Sequence, residues 1–180
     1  MNFYFIIAGI LILIFVMKKT TKYNFNFNLY NEELGLSESS GNYSTNTGNG
    51  MYGKYQFSYD TLNTVLNELN INVSTSQFLQ SPNLQDAAVN QLTNDNLNYI
   101  ESNNLDNSIG QSITGKGNGI VTTINIYGLA AGAHLGGTGN LYKFIKENID
   151  VSDNTNILTG GTYISDYIAK FSKIFNDLGY

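Results

Sequence analysis

The residues best able to do chemistry lie between positions 37 and 57, where the chain reads SESSGNYSTNTGNGMYGKYQF. Glu38 closes a helical pattern, a stretch rich in Gly, Asn, Ser and Thr follows, and Gly53-Lys54-Tyr55-Gln56 heads the next apolar run. A carboxylic acid can donate a proton only if it still holds one near neutral pH, and apolar walls favour that neutral form. A helix-end glutamate walled by apolar side chains therefore offers general acid–base chemistry. No second acid lies in this segment, and the nearest, Glu32 and Glu33, sit on the approach helix. Other chemistries fit less well. The chain has no cysteine and a single histidine, His134, so a thiolate site cannot form and neither a metal nor a cofactor is expected. Residues 110–117, GQSITGKG, nearly spell a phosphate-binding loop, but Gly117 stands where Ser or Thr should hold magnesium and no apolar strand precedes it. That segment reads as an ordinary loop.

The elements that must position these groups are mostly helical. Leu29, Tyr30, Glu33, Leu34 and Ser37 recur at helical spacing, and Gly41 offers a stop just beyond Glu38. Residues 41–53 read as a loop or small hairpin. Tyr59, Leu62, Val65, Leu66 and Leu69 share a helix face, with Ser58 as N-cap. Ser81-Pro82 predicts a helix start, with Ser81 capping and Leu84, Ala88, Leu92 and Tyr99 in line to about residue 102. Residues 103–119 read as loop. From 120 to 135 the chain is small and apolar, and Gly128, Ala130, Ala131, Gly132 and Ala133 permit close helix packing. Gly136, Gly137 and Gly139 should break that run before a short helix over 141–147. Tyr163, Ile164, Tyr167, Ile168, Phe171 and Phe175 stripe a last helix over 162–175. Strand-like alternation is almost absent and no internal repeat shows, so the expected class is α+β, predominantly α-helical.

Glu38-Ser39 and Gly53-Lys54-Tyr55-Gln56 resemble the Glu-Ser pair and Gly-x-x-Gln motif of the lysozyme-like lytic transglycosylases, which face each other across a sugar cleft. GLAAGAHLGGTGNLYKFI over 128–145 looks like the Ala-Ala-His-Leu-Gly-Gly segment of phage and bacterial members, and GTYISDYIAKF over 161–171 looks like their closing Ser-Asp-Tyr motif. The four elements occur in order and cover most of residues 30–172. The resemblance implies a lysozyme-like domain that cleaves the MurNAc–GlcNAc bond of peptidoglycan, with its glycan strands as partner. A single carboxylate then suffices: Glu38 acts as acid, next as base toward the 6-hydroxyl of muramic acid, and a 1,6-anhydro ring replaces the water of hydrolysis. Rival readings are a lysozyme-type hydrolase of the same fold and a structural or glycan-binding membrane protein that lost the chemistry.

The other site residues carry two readings each. Gln56 faces the cleft or ties down its loop, and Ser39 binds substrate or caps. Tyr167 lies on an apolar stripe, yet the family's late tyrosine points toward the acid. Tyr55, with Tyr43 and Tyr52, could stack on sugar rings. His134 belongs to the resemblance but has no second ligand for a metal, so a packed, hydrogen-bonded histidine is expected.

Composition bounds the setting. With net charge −5 and nine cationic residues scattered along the chain, nucleic-acid binding is not expected. FYFIIAGILILIFVM, residues 3–17, is uncharged and is followed by Lys18, Lys19 and Lys22. At ~1.5 Å per residue this run spans about 22 Å, and Met1, Asn2 and snorkelling lysines bring it near the ~30 Å hydrocarbon core. A basic region before the run and a small-residue cleavage site after it are both missing, which favours an uncleaved anchor over a signal peptide. The expected organisation is a transmembrane helix over 1–19, a linker over 20–28 and a lysozyme-like domain over 29–180. The lysines put that domain on the cytoplasmic side, an orientation that suits a virion membrane better than a bacterial envelope.

Overall fold

Asn26 begins the first helix by taking the Leu29 amide on its side chain, and α1 (Phe27–Ser39) ends where Ser40 and Gly41 both turn left-handed, at φ 55° and 80°. The expected glycine stop is thus shared by two residues. The computed structural model describes residues 22–152 and 161–180. The expected membrane anchor, residues 1–19, lies outside them. Among the described residues no helix is long and apolar enough to cross a membrane.

The expected hairpin forms one turn later than its glycine-rich stretch. β1 (Met51–Tyr52) pairs antiparallel with β2 (Phe57–Ser58), so residues 53–56 are its turn. Ser58 then caps α2 (Tyr59–Glu68), accepting from the Thr61 amide as its position predicts. A five-residue helix, α3 (Thr75–Leu79), follows; its sign was the capping box of Ser74 and Gln77. α4 (Pro82–Ser102) starts at the expected proline, but Ser81 does not cap it. Its hydroxyl instead donates to the Gln77 carbonyl at 2.8 Å, closing α3.

Residues 103–119 are more ordered than a loop. They hold a 3-10 turn (Leu105–Ser108) and β3 (Ser112–Thr114), which pairs antiparallel with β4 (Val121–Thr123). With only two or three residues per strand, neither hairpin leaves an alternating pattern to read. The described domain is thus α+β and mostly helical.

α5 (Ile126–Glu147) is two helical stretches joined across a kink at Gly137, where φ 75° and ψ 159° depart from helical values, so the expected break falls among these glycines. Of the three expected breakers, Gly137 alone breaks the helix. Gly136 stays helical and is a point of close approach, since a Cβ there would fall 2.5 Å from the Ile164 side chain, and Gly128 and Gly132 meet Ser172 and Ile168 as closely. This small-residue stripe lets α6 (Ile164–Asp177) lie against α5 in the most extensive helix contact of the fold. Phe25, Tyr30, Tyr127, Phe171 and Phe175 fill the space between α1, α5 and α6, with Tyr127 stacked on Phe175 at 3.8 Å. That aromatic core sets α6 alongside α1, and with it the reach of Tyr167.

Candidate active site

Glu38 sits half-buried in the last turn of α1. The Tyr167 hydroxyl, from the first turn of α6, donates to Glu38 Oε1 at 2.6 Å. Tyr167 is 9% exposed, so its ring belongs to the core while its hydroxyl serves the carboxylate; both readings of the residue hold at once. The Lys170 ammonium donates to Ser37 Oγ at 2.6 Å, and Ser37 Oγ lies 3.5 Å from the Tyr167 hydroxyl. Lysine, serine, tyrosine and glutamate form a polar line along the α1–α6 seam, ending at Glu38. Tyr167 takes one lone pair of Oε1, and an ionised carboxylate has about four acceptor sites.

The Ser-Asp-Tyr motif has a mechanical meaning. Asp166, 5% exposed, accepts from the backbone N–H groups of Gly117 (2.7 Å), Asn118 (3.0 Å) and Tyr163 (3.0 Å). Ser165 Oγ accepts from the Lys116 amide and donates to Asp150 at 2.6 Å. The loop that nearly spelled a phosphate site does hold an anion on its backbone amides, and the anion is Asp166. Gly115 and Gly117 are needed there, since a Cβ on either would lie within 3 Å of the Asp166 carboxylate. Two consecutive residues thus lock the start of α6 to the β3–β4 turn, and the third is aimed at Glu38.

Residues 53–56 are held from three sides. Ser39 Oγ donates to the Lys54 carbonyl at 2.7 Å, and the Lys54 amide donates to Gln85 Oε1 at 2.8 Å. Gln85 is fully buried and passes its own amide hydrogens to the Tyr43 and Phe78 carbonyls. His134 Nε2 bonds the Tyr55 carbonyl at 3.0 Å, so that nitrogen carries the proton, and Nδ1 is buried with no partner among the described residues. His134 is therefore packed and hydrogen-bonded, as expected. Gly53 must be glycine: its φ is 75° and a Cβ would sit 2.3 Å from Gln85 Oε1.

The other predicted site residues separate on this frame. Ser39 has its hydroxyl committed to backbone groups, with further contacts to Gly35 and Asn42. Gln56, half-buried at φ 49°, donates from Nε2 to the Gly53 carbonyl at 2.8 Å, the tie within its own loop. Among the described residues its Oε1 makes no hydrogen bond. Tyr55 requires a correction. It is 1% exposed, leaving no ring face for a sugar, and its hydroxyl donates to Asp86 at 2.6 Å. Burial first, and the Asp86 carboxylate second, push its phenol well above the ordinary range. Tyr43 shares that carboxylate at 2.9 Å, and Lys54 lies over both rings. Gln85 and Asp86 went unread in the sequence because polar residues on a helix look like its solvent face until their partners on the loop and hairpin, 31 to 43 positions away, are known.

A half-buried glutamate at a helix end, with a tyrosine bond on it and a pinned glycine–glutamine hairpin beside it, forms a candidate acid site. A family model described as Transglycosylase-like domain matches residues 28–93, the span from α1 into α4. Over that span, about a third of the chain, the sequence is similar to the transglycosylase-like family that its motifs resemble, and the match supports a peptidoglycan-acting glycosidase or transglycosylase. No curated protein and no solved structure matches the chain.

Proposed function

We propose that this chain is a lytic transglycosylase that cleaves the MurNAc–GlcNAc bond and leaves a 1,6-anhydro ring on the MurNAc product. The observation that carries the reading is the 2.6 Å bond from the Tyr167 hydroxyl to Glu38 Oε1. It fixes the carboxyl group while leaving Oε2 for the sugar. Glu38 protonates the glycosidic oxygen as the C1–O bond breaks, and the GlcNAc hydroxyl departs. The carboxylate then removes the proton of the 6-hydroxyl, whose oxygen bonds C1. Glu38 regains its proton and no water is consumed. Acids on neighbouring elements are engaged elsewhere: Asp86 by two tyrosines, Asp150 by Ser165, Asp166 by three amides. That favours a mechanism with one carboxylate. In the same reading Gln56 Oε1 contacts substrate, and Ser39 acts by holding the loop.

The test is mass spectrometry of digested peptidoglycan. Anhydromuropeptides, lighter by one water than lysozyme products, are expected. Reducing-end products alone would move the chain to the hydrolase alternative. The proposal includes an anchor at residues 1–19 with the domain facing the cytoplasm, as in a protein destined for a virion membrane. Protease added outside intact cells should then leave the domain whole, and digestion with cytoplasmic markers intact would reverse that orientation.

A further inference from the structure

Two oxygens of α1 lie within reach of the Tyr167 hydroxyl: Glu38 Oε1 at 2.6 Å and Ser37 Oγ at 3.5 Å. A phenol has a single hydrogen, so it serves one of them at a time. Which oxygen it serves decides where the proton of an acidic Glu38 can sit. When Tyr167 donates to Oε1, that oxygen is an acceptor and the carboxyl proton is on Oε2. When Tyr167 donates to Ser37, its own oxygen is open to accept, and the carboxyl proton can settle on Oε1, inside the Glu38–Tyr167 bond. A proton held there is withheld from the glycosidic oxygen.

Lys170 bears on that choice. It lies one turn beyond Tyr167 on α6, and its half-buried ammonium donates to Ser37 Oγ at 2.6 Å. An ammonium has donors only, so Ser37 must accept from it and keeps its own hydrogen for another partner. A serine oxygen already bound to a cation is a poor second acceptor. The same charge lies 6.0 Å from the centre of the Tyr167 ring. There it favours a hydroxyl whose hydrogen points away from Ser37, toward the carboxylate.

We propose that Lys170 is a positioning residue for Glu38: by occupying Ser37 it keeps the Tyr167 hydroxyl turned to Oε1 and the catalytic proton on Oε2. The consequence for cleavage rests on the function proposed above; the direction of the hydrogen bonds does not. Lys170 touches no reacting atom in this arrangement. Its loss changes the fraction of Glu38 ready to protonate, and leaves the contacts that hold the sugar as they are.

The experiment is a double-mutant cycle on the full chain, in non-ionic detergent, followed in two ways. The first is the NMR resonance of Tyr167 Cζ, assigned by its loss in Tyr167→Phe. Lys170→Met should move that resonance, whereas the same substitution on Ser37→Ala should leave it in place, because the rival acceptor is gone. The second is kinetics on peptidoglycan. Lys170→Met should lower kcat about five- to tenfold with KM held, and on Ser37→Ala it should cost less than about twofold. Lys170→Arg, a cation that also has donors alone, should restore most of kcat. Circular dichroism and thermal melts establish that each variant is folded. A Tyr167 resonance unmoved by Lys170→Met, or an equal loss of kcat with and without the Ser37 hydroxyl, overturns the positioning role. Since the NMR cycle needs no cleavage, the expected shifts in a chain that cuts nothing refute the enzymatic reading alone.

Discussion

The two halves of the domain contribute to the site in different ways. From α1 to the start of α4, the span the family model matches, come Glu38, Ser39 and Gln56. From α5 and α6, outside that span, come the groups that hold them: Tyr167 on Glu38, 129 positions away, and His134 on the Tyr55 carbonyl, 79 positions away. The first half carries the groups proposed to meet the sugar, and the second fixes where they point. Among the described residues the acid end is reached by one hydrogen bond, from α6, whereas residues 53–56 are gripped by Ser39, Gln85 and His134 together. Loss of a single holder should therefore matter more at Glu38 than at the hairpin.

The largest effect belongs to the acid itself. Glu38→Gln keeps the side chain's size and can still accept from Tyr167, but it cannot give up a proton. Cell-wall clearance should fall on the order of a thousandfold or more with circular dichroism unchanged. Near-native clearance would remove Glu38 from the mechanism. Next comes its holder. Tyr167→Phe deletes a hydroxyl bonded to a charged group, which corresponds to roughly 1.5–3 kcal/mol, or about ten- to a hundredfold in rate. The ring stays in the core, so the melting temperature should hardly move. A lower melting temperature with full activity would make Tyr167 a packing residue only.

The grip on α6 should show in stability before activity. Asp166→Asn keeps one acceptor oxygen and turns an NH2 group toward amides that need an acceptor. A loss of about 2–3 kcal/mol is expected, read by denaturant titration. Activity should fall less than in Tyr167→Phe, because Phe171 and Phe175 still anchor the helix. If activity falls further than in Tyr167→Phe, Asp166 acts on Glu38 more directly than through the helix start.

Much of this was legible in the chain, and the limits have physical causes. α1, α2, α4 and α6 could be read because each buries one face, and Glu38, Gln56 and Tyr167 stood out because their motifs are short and local. Tyr55 misled because exposure depends on partners: Asp86 lies 31 residues on, and with it the phenol is buried rather than presented. Ser81 misled because two helix ends competed for one hydroxyl, and the Gln77 carbonyl took it. The small hairpins and α3 are too short for periodicity, and α3, whose one local sign is the Ser74–Gln77 capping box, went unread.

The smallest expected effect tests whether the hairpin is held redundantly. His134 gives the Tyr55 carbonyl its bond from Nε2 while Nδ1 stays buried without a partner among the described residues, so it supplies one hydrogen bond and carries one polar penalty. His134→Phe removes both. The two terms, each about 1 kcal/mol, oppose one another, and net stability should change by less than either. Packing survives, since the histidine ring already meets Phe57 edge to face at 6.4 Å and a phenyl group can take that place. What remains is the position of residues 53–56, still tied to Ser39 and Gln85. If three holders share the work, KM for peptidoglycan should rise only severalfold and kcat should hold. His134→Gln, which can offer an amide hydrogen to the same carbonyl, should recover part of that rise. A fall in kcat as large as that of Tyr167→Phe would show that the hairpin hangs on His134 as Glu38 hangs on Tyr167, and the contrast between the two ends of the site would be lost.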